Sequence, residues 1–273
     1  MSREGVLAEP APAKLNLALH VRGKLPDGRH AIETVFAFCT DGDMLTVEKA
    51  DHSLYQLEIS GEFAGGLSQG NLVTSAFFAL KEAAGRALEG TLVTLEKNLP
   101  VASGIGGGSA DAAAALRLLT RFWKVDPSLA EEVALSLGSD VPACLLSMTA
   151  RGTGAGNQLQ LFDDPTIART PVLLANPRVE LPTRDVFAAS DGVDRGPLGD
   201  WREGRNDLEA PACSIVPSIG DVLHWLKSQT GANFVRMSGS GATCFALFDS
   251  AEQRDAAAAA CPANWWHLAT FLR

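Results

Sequence analysis

Leu99-Pro100-Val101-Ala102-Ser103-Gly104-Ile105-Gly106-Gly107-Gly108-Ser109-Ala110-Asp111-Ala112 runs straight into Ala113-Ala114-Ala115-Leu116-Arg117-Leu118-Leu119. The first run reads as a glycine loop and the second as the opening of a helix. Glycine at positions 104, 106, 107 and 108 gives the backbone access to left-handed conformations and lets a ligand approach the main chain. Ser109 or Asp111 is placed to cap the alanine- and leucine-rich helix behind it. Unpaired amides and the positive end of a helix dipole converge at such a junction, which suits a di- or triphosphate held mostly by main-chain N–H groups.

No Gly-Lys-Ser/Thr follows, and the place that would complete Gly-x-Gly-x-x-Gly after Gly104 and Gly106 is Ser109, so neither common phosphate-loop pattern is present. From the loop alone, a glycine turn that merely lets a helix pack closely reads as well as a phosphate site. The surrounding chain has to decide.

The 273 residues can bury a large core and fit one elaborated domain or two. A hydrophobic fraction of 46% with 20% charged residues excludes long disorder, and no apolar run reaches the ~18 residues of a membrane helix. The start, Met-Ser-Arg-Glu-Gly-Val-Leu-Ala-Glu-Pro, has no apolar signal core, so a cytoplasmic protein is expected. Cys39, Cys144, Cys213, Cys244 and Cys261 form no Cys-x-x-Cys pair and read as small core residues, and the five histidines show no metal-ligand spacing. No metal site of the chain's own is expected. A net charge of −9 argues against a nucleic-acid surface, so a phosphate-bearing ligand must be met by local amides and a few cations.

Ahead of the loop, Leu15, Leu17, Leu19 and Val21 alternate with Lys14, Asn16, Ala18 and His20, which predicts a half-buried strand. Its polar face carries a lysine and an asparagine two residues apart; for such a face solvation is the usual case. Pro26-Asp27-Gly28 marks a turn, and residues 32–38, 43–47 and 55–60 read as strands with antiparallel pairing. Asn71 caps a helix running to about Gly85, and residues 91–97 form the strand that delivers the chain to the loop. Strand, loop and helix thus follow in the order a phosphate site needs.

Behind the loop, Ser128 is expected to cap a helix to residue 137, and Gly138-Ser139-Asp140-Val141-Pro142 reads as a constrained turn because proline disfavours helix ahead of it. Residues 151–156 approach a domain boundary, 171–177 form a buried strand, and 190–204 a surface loop. Ile219, Val222, Leu223 and Leu226 have helical spacing. Residues 234–248 read as strand, small-residue turn and strand, before a helix over 250–260 and an apolar tail over 265–272.

Pro12-Ala13-Lys14-Leu15-Asn16-Leu17, Pro100 to Ser109 and Ser238-Gly239-Ser240-Gly241 together resemble the three ordered motifs of the GHMP small-molecule kinases. Asp27-Gly28-Arg29-His30 and Gly138-Ser139-Asp140-Val141-Pro142 narrow the resemblance to members whose substrate is a methylerythritol carrying a cytidine diphosphate, in non-mevalonate isoprenoid synthesis. It spans nearly the whole chain. It implies a two-lobed α+β fold: an ATP-binding domain with a mixed sheet over residues 1–153 and a ferredoxin-like domain over 154–273, with substrate in the cleft. It also implies transfer of the ATP γ-phosphoryl, with Mg²⁺ accompanying the nucleotide, to the C2 hydroxyl of the substrate, by a monomer or homodimer with no nucleic-acid or membrane partner.

By the same resemblance Asp140 is the base and Lys14 polarises the hydroxyl, with Asn16 fixing the substrate beside it. Phosphoryl transfer is mostly positioning and charge stabilisation, so one carboxylate and one ammonium beside a phosphate cradle suffice. Asn71 and Lys97 match positions near adenosine, while Pro100, Ser103, Gly104, Ile105, Gly106, Gly107, Gly108 and Ser109 form the phosphate loop. His30 matches the residue that hydrogen-bonds cytosine, Thr183 and Phe187 the far wall of the pocket, and Gly239 and Ser240 the third motif's share of the substrate site. Two departures stand out. Arg29 occupies the place of a usual tyrosine, so its guanidinium is expected to stack on the base with Phe187 on the other face, and the loop ends Ser109-Ala110 where two serines are common, which bears on how phosphate and Mg²⁺ are held. The rival within the superfamily is a mevalonate-pathway, homoserine or sugar kinase, which would lack the Asp-Gly-x-His element. An inert nucleotide sensor would need neither Lys14 nor Asp140.

Overall fold

The computed structural model describes residues 6–50, 54–67 and 70–273. Strands β1 (Leu7–Lys24), β2 (His30–Lys49) and β3 (Tyr55–Ser60) are followed by helix α1 (Leu72–Ala84), strand β4 (Thr91–Glu96) and helices α2 (Gly107–Trp123), α3 (Ser128–Leu137) and α4 (Val141–Leu146). The chain continues through β5 (Ala150–Thr153), β6 (Gln158–Leu161), β7 (Pro171–Asn176), α5 (Thr183–Ala189), α6 (Glu209–Ile215), α7 (Ser218–Lys227), β8 (Ala232–Met237), β9 (Cys244–Phe248), α8 (Ala251–Ala259) and β10 (Trp266–Phe271). Two compact units result. One draws on Met1–Ala13, Asp41–Val101 and Gly106–Ser147, the other on Lys14–Thr40, Ala102–Ile105 and Met148–Arg273, so β1 and β2 each run out of one unit into the other. Among the described residues no helix is long and apolar enough to cross a membrane.

In the first unit β4 pairs antiparallel with the end of β2, from Met44↔Glu96 to Lys49↔Thr91. On its other edge β4 pairs parallel with β3, which corrects the antiparallel expectation for residues 55–60. The reason is the connection: α1 lies between the two strands, and a helical crossover is what a parallel pair needs. Residues 32–38 and 43–47 are one strand, not two. Gly42 makes that possible, because a Cβ there would collide with the Ala11 carbonyl oxygen and lie 2.7 Å from Pro12 Cα.

The Asn71 side chain caps α1 by accepting from the Val73 and Thr74 amides at 3.0 and 3.2 Å, and Gly85 ends the helix in the left-handed region. A cap of this kind stabilises a helix by about 1 kcal/mol. Helix α2 starts earlier than expected. Gly106, at φ +67°, turns the chain into Gly107, so Ser109 and Asp111 lie inside the first turns instead of capping them. Residues 112–116 of α2 are all buried, and their alanines let α1 and α4 pack close.

Helix α3 begins at Ser128, but its capping oxygen belongs to Asp126, which accepts from the Ser128 amide at 3.0 Å. The turn expected at residues 138–142 is the start of a helix, α4, with Asp140 in the N-cap position and Pro142 in the first turn, where a missing N–H costs nothing.

In the second unit β5 pairs antiparallel with β2 over Thr34↔Gly152 to Phe36↔Ala150, and β6 with β5. A separate four-stranded antiparallel sheet has the order β10-β7-β9-β8, with α5 to α7 between β7 and β8 and α8 between β9 and β10. That is the βαββαβ arrangement of a ferredoxin-like domain. Its core joins Leu173 and Ala175 of the sheet to Ile219, Val222 and Leu226 of α7.

The polar face of β1 departs most from expectation. Lys14, Asn16 and His20 are 3%, 2% and 2% exposed, so both faces of this strand are buried and the lysine is not a solvated surface group.

Candidate active site

A lysine buried to this degree needs partners, and in the second unit it has one two residues along its own strand. Lys14 Nζ donates to Asn16 Oδ1 at 2.8 Å, and lies 5.5 Å from the centre of the Phe36 ring. The Lys14 amide donates to the Ile105 carbonyl at 2.9 Å, and the Asn16 amide to the Ser238 hydroxyl at 3.1 Å. That hydroxyl donates in turn to the Gly104 carbonyl at 3.1 Å, while the Thr243 amide reaches the Ser103 carbonyl at 3.1 Å. The three separated motifs therefore meet backbone to backbone. Gly104, at φ +77°, packs so tightly that a Cβ would fall 2.6 Å from the Gly241 nitrogen, and one at Gly239 would fall 2.6 Å from the Gly104 oxygen. Ser240 donates to or accepts from Thr183 at 2.9 Å, which fastens the third motif to the start of α5.

In the first unit, Lys97 is held beneath the other end of the glycine loop. Its ammonium donates to Asp43 and, at 2.7 Å, to Asp111 on α2, and all three side chains are buried. The other oxygen of Asp43 accepts from the Asn98 and Leu99 amides at 2.5 and 2.8 Å. A Cβ on Gly107 would lie 3.0 Å from Lys97 Nζ. Left-handed backbone is confined to Gly104 and Gly106 within the loop's glycines; Gly107 and Gly108 are helical. Burial pushes the Asp111 carboxyl up to about 8, with Lys97 drawing it down and Asp43 driving it further up. The Lys97 ammonium, which burial alone would lower, is raised by Asp111 and Asp43. Asp111 Oδ1 has no hydrogen-bond partner, which adds to the cost of ionising it.

Lys97 was expected beside adenosine, and the structure commits its ammonium to two carboxyls. Asn71, expected there too, spends its carbonyl oxygen on the α1 cap. Pro100 and the Gly107–Ser109 stretch belong to the first unit, as does Asp140, which is half-buried at the head of α4.

His30, Thr183 and Phe187, the residues expected to bind the base, all lie in the second unit. His30 stacks on Phe187 with ring centres 4.3 Å apart and 15° between planes. Burial, and then the nearby Lys24 charge, lower the His30 pKa, which favours the neutral ring with its one donor and one acceptor nitrogen. The Arg29 guanidinium pairs with Asp27 at 2.7 to 2.8 Å on the surface, and His30 lies on the Phe187 face.

Residues 71–148 match the GHMP kinases N terminal domain family, and residues 193–266 the GHMP kinases C terminal family. A 4-diphosphocytidyl-2-C-methyl-D-erythritol kinase from Novosphingobium aromaticivorans is 51% identical over 275 residues, covering 98% of this chain and 93% of its own. The chain belongs to the 4-diphosphocytidyl-2-C-methyl-D-erythritol kinase family of GHMP kinases. A crystal structure of a 4-(cytidine 5'-diphospho)-2C-methyl-D-erythritol kinase is 32% identical and superposes with a TM-score of 0.83 over 97% of this chain and 99% of that one. Homoserine kinase from Cytophaga hutchinsonii, at 16% identity and a TM-score of 0.70 over 100% of this chain and 96% of that one, shares the fold alone.

For this kinase-family chain, Asp43, Asp111, Thr34 and Ser238 are the buried polar groups that sequence reasoning did not assign to the site. Ser238 carried a signal in the third motif and Asp111 one in the glycine-loop stretch; Asp43 and Thr34 sit 54 and 18 positions from the partners they serve. The Asp111 shift has a measurable consequence. Its folded pKa lies above the ordinary carboxylate value, so the folded chain keeps a proton that the unfolded chain releases, and stability falls as pH rises from about 4 to about 8. Asp111→Asn removes that component. Urea unfolding between pH 5 and 8 should show a flatter pH dependence for the variant, and parallel curves would contradict a protonated Asp111.

Proposed function

We propose that this chain transfers the γ-phosphoryl of ATP to the C2 hydroxyl of 4-diphosphocytidyl-2-C-methyl-D-erythritol, a step in non-mevalonate isoprenoid precursor synthesis. The observation that carries the substrate choice is the His30–Phe187 stack, an imidazole on an aromatic face. Kinases for mevalonate or homoserine have no base to bind and no use for it. A pyrimidine joining such a stack gains about 1–3 kcal/mol whatever its identity, and the imidazole edge then tells cytosine from uracil through its donor and acceptor.

Asp140 takes the proton of the C2 hydroxyl as the oxygen attacks the γ-phosphorus, and Lys14 steadies the charge that develops there. Asn16 holds the substrate beside Lys14. Gly106, Gly107, Gly108 and Ser109 present main-chain N–H groups at the start of α2 to the triphosphate, where the helix dipole favours negative charge. Mg²⁺ arrives as part of the nucleotide substrate and neutralises phosphate charge.

A coupled assay with MgATP should consume the cytidyl substrate and neither mevalonate nor homoserine; preference for either of those would overturn the reading. Asp140→Asn should keep its affinity for ATP and lose about 10²–10⁴-fold in turnover, whereas a folded variant with more than about a tenth of wild-type turnover would remove Asp140 as the base.

Base choice separates from base affinity. Phe187→Ala should weaken substrate binding by ~1–3 kcal/mol with the cytidyl over uridyl preference kept. His30→Ala should narrow that preference, and kinetics of both variants with both substrates measure it; an undiminished preference would relieve His30 of the role.

A further inference from the structure

The Lys14 ammonium is aimed by a chain of hydrogen bonds that permits one arrangement. Thr34, on β2 and 1% exposed, has a hydroxyl with a single proton. Its Oγ1 lies 2.6 Å from the Ala18 carbonyl oxygen, which can only accept, so the proton goes there. Towards Asn16 the hydroxyl is left as an acceptor, and it receives Asn16 Nδ2 at 2.8 Å. The carboxamide is thereby oriented with its oxygen towards Lys14 Nζ, 2.8 Å away. A flipped amide would set two donors against each other at the ammonium and two acceptors against each other at Thr34. The whole chain is buried, so water does not compete for these bonds.

We propose that Thr34 is a positioning residue, whose hydroxyl fixes the Asn16 carboxamide so that its oxygen holds the Lys14 ammonium in the attitude the reaction needs. The proposal rests on the reading that Lys14 acts on the substrate hydroxyl. Thr34 reaches Lys14 through Asn16. Its contribution is directional: the hydroxyl converts a carbonyl acceptor at Ala18 into an acceptor facing Asn16, and every later link inherits that polarity. A methyl group in place of the hydroxyl would keep the bulk and leave the carboxamide free to turn.

The test compares Thr34→Val, which removes the hydroxyl at similar bulk, with Thr34→Ser, which keeps it, and measures kcat, both KM values, ATP affinity and the urea midpoint. Thr34→Val should lose about ten- to a hundredfold in kcat, the range expected for a lost hydrogen bond in a chain that ends on a charged group, with ATP affinity unchanged. Thr34→Ser should recover kcat to within about threefold of wild type. In a Lys14→Met background Thr34→Val should cost nothing further, since there is no ammonium left to aim. Thr34→Ala carries the same expectation should the valine variant not fold. Turnover within about twofold of wild type in folded Thr34→Val, alongside a Lys14→Met variant that has lost turnover, would overturn the role of Thr34 while leaving that of Lys14 standing. Equal losses in Thr34→Val and Thr34→Ser would overturn it as well, by tracing the effect to packing. A Lys14→Met variant that keeps its turnover would instead overturn the reading on which the proposal rests.

Discussion

The Ser238 hydroxyl accepts from the Asn16 amide and donates to the Gly104 carbonyl, each at 3.1 Å, and so joins stretches separated by 222 and 134 positions. A single side chain can do this only where the three backbones come almost into contact. Gly104 and Gly239 provide that approach, since a Cβ on either would meet main-chain atoms of the other motif. The glycines are therefore partly an assembly device. Those nearest the third motif bring backbone against backbone, while Gly106 turns the chain into α2 and so sets where its amides point.

A second constraint operates in the first unit, where Asp43, Lys97 and Asp111 share a buried cluster. Removing one partner from such a group commonly costs about 3–5 kcal/mol, because it leaves an uncompensated charge out of water. What the cluster holds is specific: the Asn98 and Leu99 amides on one side and the first turns of α2 on the other. The residues on either side of the glycine loop are thus tied before any nucleotide arrives. Amides carry no charge of their own to pull a loose loop into shape, so a fixed arrangement of main-chain N–H groups depends on such ties.

The signals legible in the sequence were local ones. Asn71 and Gly85 bound α1 as their side chain and backbone freedom dictate, and the spacing of Ile219, Val222, Leu223 and Leu226 marks the buried face of α7. The strand and helix pattern after residue 170 folds as the ferredoxin-like arrangement expected. Where distant partners decide, local pattern failed. Alternation in β1 predicted a solvated polar face, yet Asn16, Thr34 and Ser238 supply hydrogen bonds that let Lys14 and Asn16 be buried. Ser109 and Asp111 looked like caps because both residue types cap helices, but Asp111 instead turns inward to accept a hydrogen bond from the Lys97 ammonium.

If the Ser238 hydroxyl holds the three motifs together in the second unit, removing it should destabilise the folded chain. Urea unfolding of Ser238→Ala against wild type is the direct measurement. Loss of the hydroxyl leaves the Asn16 amide and the Gly104 carbonyl without that partner, and stability should fall by about 1–3 kcal/mol, the cost of unmatched buried polar groups. A variant as stable as wild type would contradict the account.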